Sequence, residues 1–212
     1  MIPQPVVVVL AAGSGSRFAA HAPTAGHKLA QTFALTTVLG RTLTAVRQSG
    51  LPFVVVTIPA LLSIVSAEAV ARDIVLLVEG DTDAPLSWGM GHSIAAGVSS
   101  RPQAPGWLVL PGDMPLVQSA SLRTVAAALG EHPIAYAQYR GQRGHPVGFR
   151  AELYAELAAL RGDEGARGVV ARHAARGVEV DDAGVRLDLD TADDLAVLHA
   201  LHARNSGALE GG

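Results

Sequence analysis

An apolar run at 6–10 stops in Ala11-Ala12-Gly13-Ser14-Gly15-Ser16-Arg17. Small residues ending on an arginine let backbone N–H groups approach phosphate oxygens with a cation alongside, so this loop reads as a nucleotide-phosphate site. Two other glycine-loop chemistries fail on the letters. A dinucleotide-binding loop needs glycine where Phe18 stands, and a Walker loop needs Gly-Lys-Ser/Thr, whereas Lys28 precedes Leu29. The bland alternative is an ordinary strand-to-helix turn. A second chemical position is Asp113 in Pro111-Gly112-Asp113-Met114-Pro115, directly after the apolar run 107–110. A carboxylate held between turn formers at a strand end can bind a hard cation that in turn holds phosphate oxygens. Its alternative role is a turn or cap aspartate.

Those positions require a scaffold, and the apolar runs supply one. Runs at 6–10, 53–58, 74–78, 107–110 and 134–139 read as strands, and the segments between the first four have helical length and periodicity. Continuous apolar strands indicate burial on both faces, which predicts an α/β fold: a three-layer α/β/α sandwich on a mostly parallel, Rossmann-like sheet. In such sheets ligands bind beyond the carboxyl ends of the strands, where both the glycine loop and Asp113 fall. Helices are expected at 36–49, 59–71, 92–99, 119–129, 151–160, 166–176 and 192–204. The last begins at Thr191, with Asp194 completing a capping-box pattern.

The chain has 212 residues, 49% of them hydrophobic and no internal composition shift, which predicts one domain over 1–204 and a flexible tail at 205–212. With only 4% aromatic residues, a net charge of −3 and no basic run, nucleic acid is not an expected partner. There is no cysteine, so disulfides, thiolate metal sites and thiol catalysis are excluded, and a cytoplasmic setting is the simplest expectation. The first apolar run is too short for a membrane span. His199 and His202 stand three apart without an acidic or cysteine ligand, and read as a surface-helix pair.

Five short motifs stand in order: Leu10 to Arg17 with Lys28, Gly89-Met-Gly-His-Ser93, Pro111 to Pro115, Arg143-Gly-His-Pro-Val147 with Phe149, and Gly162-Asp-Glu-Gly-Ala-Arg167. An Asp188-Leu-Asp-Thr-Ala-Asp-Asp-Leu195 segment closes the set. Together they resemble the molybdenum-cofactor nucleotidyltransferases, most closely the molybdopterin cytidylyltransferase group. The resemblance implies a nucleotide-diphospho-sugar transferase-like fold and Mg²⁺-dependent transfer of CMP from CTP to the phosphate of molybdopterin. Leu-Ala-Ala-Gly is the form of the loop seen in the cytidylyl enzymes, and a side chain at Ala12 would narrow the space for a base. The sequence departs from the pattern at Phe18, Ala19 and Ala20, and Lys28 follows Arg17 by more positions than is usual.

On that resemblance Arg17, Lys28 and Asp113 are the catalytic residues. Leu10, Ala11, Ala12, Gly13, Ser14, Gly15, Ser16, Gly91, Ser93 and Gly112 join Arg17 and Lys28 in binding the nucleotide. Arg143, His145, Asp163 and Arg167 meet the acceptor. Asp188 or Asp190 joins Asp113 on the metal. Alternative roles are a helix cap for Ser93 and Asp163, a structural hydrogen bond for His145, and a helix-dipole contact for Asp190. Implied partners are a nucleoside triphosphate, a molybdopterin-type acceptor, and a molybdenum hydroxylase or its maturation factor. A sugar or polyol phosphate acceptor, or a non-catalytic chaperone for the cofactor, are the competing readings. The acceptor pocket is expected to be shaped by loops such as 80–88.

Overall fold

The computed structural model describes residues 4–21, 24, 26–78 and 89–209; the expected acceptor loop at 80–88 and the tail residues 210–212 lie outside them. Among the described residues seven strands form one sheet: β1 (Val6–Ala11), β4 (Phe53–Thr57), β5 (Ile74–Leu76), β6 (Gly106–Pro111), β7 (Ile134–Tyr139), β8 (Gln142–Arg150) and β9 (Ala175–Glu179). A separate two-stranded hairpin, β2 (Thr32–Phe33) and β3 (Thr36–Thr37), stands apart from it. The order is β5-β4-β1-β6-β8-β7-β9, and every pairing is parallel except the two made by β8.

Helices cover both faces, as the continuous apolar strands require. Val7, Val9 and Ala11 of β1 pack towards α2 (Val38–Ser49), α3 (Leu62–Ser66), α5 (Ser119–Ala128) and α8 (Ala192–Leu209). Val6, Val8 and Ala12 face α4 (Met90–Ser99), α6 (Tyr154–Ala158) and α7 (Arg167–Arg172). A short helix, α1 (Ser16–His21), follows the glycine loop and is pinned by buried Phe18. Helix α8 starts on the anticipated capping box: Asp194 accepts from the Thr191 amide at 2.7 Å while its own N–H donates to Thr191 Oγ1 at 3.3 Å.

Several elements differ from expectation. The helix expected at 59–71 is a 3₁₀ turn at Pro59–Leu61 followed by α3, which ends at Ser66, and the helix expected from 36 begins at Val38 because Thr36–Thr37 pair in the hairpin. β8 is an unforeseen central strand despite containing Pro146, because its ladder to β7 slips between Tyr136 and Gln138, leaving the Gly144–Pro146 stretch out of register. The helix expected at 166–176 ends at Arg172, and Ala175–Glu179 instead pairs with β7, where sheet pairing overrides helix propensity. Helix α8 continues to Leu209 rather than ending at 204. His199 and His202 lay their rings against buried Phe33, with centroids 4.8 and 5.4 Å away, which ties α8 to the hairpin.

Candidate active site

Strands β1 and β6 end side by side, with Leu10 opposite Pro111, and the Gly112 amide donates to the Leu10 carbonyl at 2.9 Å. A Cβ on Gly112 would lie 2.9 Å from that same oxygen, so only glycine lets the two strand ends converge. This convergence sets the glycine loop beside Asp113. The Asp113 carbonyl then accepts from the Leu189 amide at 3.0 Å, which anchors the 188–190 segment alongside. Leu189 is buried, so its neighbours Asp188 and Asp190 both turn to the same side as Asp113.

One oxygen from each of Asp113, Asp188 and Asp190 falls within 4.8 Å of the others. The sequence left Asp188 and Asp190 as alternatives; both are in the cluster. Lys28 reaches it despite its distance from Arg17 along the chain. Its Nζ donates to Asp113 Oδ2 at 2.6 Å and to the Leu189 carbonyl at 2.8 Å, and lies 3.5 Å from Asp190 Oδ1. Arg17 holds the other oxygen of Asp190 at 2.6 Å. Asp113 Oδ1 is buried with no hydrogen-bond partner among the described residues. An orphaned carboxylate oxygen amid three clustered carboxylates is the donor set a hard divalent cation takes. Asp188 reaches solvent, yet partial enclosure of its carboxyl and the negative charge of Asp113 push its pKa above the usual value.

The surrounding cleft has a volume of about 730 Å³. Leu10, Gly13, Ser14, Gly15, Ser16 and Arg17 line one side of it with Lys28, and Asp113, Asp188 and Asp190 line its centre. Ser93, Arg143, His145, Asp163 and Arg167 line the remainder. Four expected nucleotide ligands are absent from the lining. Ala11 and Ala12 are buried, with the Ala12 methyl in the core beside α4, so the argument that this side chain narrows the space for a base does not hold. Gly91 and Gly112 serve close packing instead; the Gly91 amide donates to the Gly162 carbonyl at 2.8 Å. Ser93 is not a cap, since Gly89 is the N-cap residue of α4. Asp163 does not cap α7, whose N-cap is Ala166 without a side-chain bond.

His145 sits where β8 crosses the cleft. Burial, reinforced by the Arg143 charge, lowers its pKa to about 4 against the opposing pull of Asp188, so its ring is neutral near pH 7. Arg143 lies 4.6 Å over the Tyr136 ring. Three residues escaped the sequence reading. Arg186 adds a cation to the lining. His27 bonds the Gly13 carbonyl through Nε2 at 3.0 Å and accepts from the Leu29 amide at Nδ1. Its only signal was adjacency to Lys28. Asp182, also unforeseen, is a buried structural acceptor for Ser121 Oγ and the Gln118 and Gly184 amides.

The family described as MobA-like NTP transferase domain matches residues 7–178. The crystal structure of Rv0371c from Mycobacterium tuberculosis H37Rv is 30% identical, covering 94% of this chain and 99% of that one, with a TM-score of 0.75. A manganese complex of Rv0371c superposes with 31% identity, 93% and 98% coverage and a TM-score of 0.71. A nucleotidyl transferase from Methanothermobacter thermautotroptrophicus shares the fold at 21% identity, with 95% and 99% coverage and a TM-score of 0.74. A search of curated proteins finds no match. Among the described residues no helix is long and apolar enough to cross a membrane.

Proposed function

Because the chain belongs to the MobA-like NTP transferase domain family and is a nucleotidyltransferase, we propose that it transfers CMP from CTP to the phosphate of a molybdopterin-type acceptor, with Mg²⁺ and release of pyrophosphate. The observation that carries this reading is the meeting of the glycine loop, Lys28 and three carboxylates in one cleft. An acceptor phosphate oxygen attacks the α-phosphorus, the bond to the β-phosphate breaks, and pyrophosphate leaves; no enzyme nucleophile is needed. The loop from Gly13 to Ser16 borders the triphosphate, with Arg17 offering a planar fork and Lys28 a point charge. Asp113, Asp188 and Asp190 would hold the metal, which supplies positive charge to the triphosphate oxygens when bound.

The acceptor assignment draws on a second cavity of about 410 Å³ that opens off the cleft beside His145. Val147 and Phe149 of β8, Val109 of β6, Ile94 of α4 and Val170 of α7 give it an apolar lining. Arg143 and Arg167 border both cavities. An apolar lining beside two arginines suits a ring system whose anionic end stays with the arginines. The cytidylyl assignment rests on the resemblance of the Leu-Ala-Ala-Gly loop to that of the cytidylyl enzymes, and not on the Ala12 methyl, which is buried. A supporting partner in this reading is the molybdenum hydroxylase that receives the finished cofactor. Incubation with each nucleoside triphosphate, Mg²⁺ and either molybdopterin or sugar phosphates, followed by pyrophosphate assay, tests the proposal. Release with CTP and molybdopterin is expected; release only with a sugar phosphate or only with GTP overturns it.

A further inference from the structure

The glycine loop and the lysine are joined by a single imidazole. His27 is the N-cap of the 3₁₀ turn Lys28–Ala30: the Leu29 amide donates to its Nδ1 at 3.2 Å, and the Ala30 amide and Gln31 Nε2 both bond its carbonyl. Because Leu29 N–H is a donor, Nδ1 is bare, and Nε2 carries the proton that it donates to the Gly13 carbonyl at 3.0 Å. The ring is therefore neutral and satisfied at both nitrogens.

Gly13 has nothing within 4 Å of where a Cβ would be, so packing around that Cβ position does not orient its peptide. The His27 bond does. A trans peptide holds its C=O and N–H antiparallel, so fixing the Gly13 carbonyl also fixes the direction of the Ser14 N–H, on a residue that lines the cleft. At the other nitrogen the same ring starts the turn that delivers Lys28 to Asp113.

We propose that His27 is a positioning residue for nucleotidyl transfer, one that couples the orientation of the phosphate loop to the placement of Lys28. The coupling spans the excursion between Arg17 and Lys28 and adds a hydrogen bond between the lysine's turn and the loop, beside the packing of the Lys28 stem against Gly15. The inference rests on the proposed reaction, but its geometry can be tested without turnover.

Two isosteres separate the two bonds. Gln places an amide N–H where Nε2–H stands and keeps the Gly13 contact; Asn places an oxygen where Nδ1 stands and keeps the Leu29 contact. With CTP, Mg²⁺ and molybdopterin, His27→Ala is expected to raise the KM for CTP by about tenfold and lower kcat by roughly as much. His27→Gln should hold KM within about threefold and lose kcat, whereas His27→Asn should hold kcat and raise KM. A purely structural residue would lower the melting temperature without this split. Nitrogen-15 NMR of the imidazoles, with His27→Gln to assign the resonance, reads the tautomer directly. A neutral ring protonated at Nε2 is expected near pH 7. A ring protonated at Nδ1, or equal KM and kcat in all three variants and wild type, overturns the proposal. Failure of the wild-type protein to release pyrophosphate with any nucleotide, alongside the expected tautomer, would instead refute the reaction and leave the latch standing.

Discussion

Replacing Lys28 with methionine removes a charge and little volume, and its consequence can be worked from the cluster. The Lys28 ammonium and the Asp113 carboxylate are 14% and 13% exposed and 2.6 Å apart. Without the ammonium, three carboxylates remain within 4.8 Å of one another, with Arg17 on Asp190 as a counterion. At an effective dielectric constant of about 20, two unit charges at that separation repel by roughly 3.5 kcal/mol. The repulsion cannot grow without limit, because one carboxyl can take up a proton instead, at a cost of about 4 kcal/mol at pH 7. The metal-free variant should therefore lose roughly 2–4 kcal/mol, a fall in Tm of about 5–15 °C for a chain of this size. Mg²⁺ or Mn²⁺ should restore most of it, since binding only the native state stabilises by about 2.7 kcal/mol at a hundredfold excess over Kd. The increment should exceed that of wild type, in which the ammonium already occupies the carboxylates. Scanning calorimetry in EDTA and across a metal titration gives both quantities. A variant melting within about 2 °C of wild type in EDTA, or gaining the same increment from metal, would refute the competition.

Asp113→Asn should lower pyrophosphate release by two orders of magnitude or more while leaving the fold intact, because relief of repulsion from Asp188 and Asp190 offsets the lost Lys28 pair; a near-normal rate would remove Asp113 from the metal site. For Asp188 the folded pKa is raised, so its ionisation opposes folding, and the stability held below its unfolded pKa is lost as pH rises through the folded one. Asp188→Asn should accordingly stabilise the metal-free protein at neutral pH, with no gain below pH about 3.9, as denaturant melts at both pH values would report. Gly112→Ala should cost roughly 1–3 kcal/mol and weaken CTP binding together, since the intruding methyl meets the Leu10 carbonyl where the two strand ends converge; an unchanged urea midpoint counts against that account.

The parallel half of the sheet was legible because its strands are continuous apolar runs, a pattern with one physical meaning. β8 was not, since Gly144, His145 and Pro146 carry the signature of a turn, and only the slipped ladder beside Tyr136 lets them lie in a sheet. Apart from Arg186, which belongs to no motif, the cleft's charged residues were legible from their motifs, and Asp113, Lys28 and Arg17 were named without coordinates. The glycines and alanines were harder. Ala12 and Gly91 belong to motifs that surround the site, but the letters do not say whether such a residue faces the ligand or makes room for a neighbour. His27 was invisible because one histidine before a lysine has no pattern; its meaning is the distance to Gly13.

The antiparallel β8 has a bearing on how the protein is made. In the finished sheet β6 pairs with β1 on one edge and β8 on the other, and β8 is synthesised only after β7 and the reversal at Arg140 and Gly141, so that edge of β6 has no partner until then. The hairpin must dock by its second strand, with its first ending outermost until β9 arrives. During that interval a buried apolar strand presents unpaired amides and carbonyls to other chains, the circumstance in which nascent polypeptides aggregate. Nucleotide cannot rescue such a chain, because Asp188 and Asp190 follow β9 and complete the cleft last. Ligand thus protects finished molecules and not those under synthesis, so a CTP supplement should raise the half-life of mature protein without raising soluble yield.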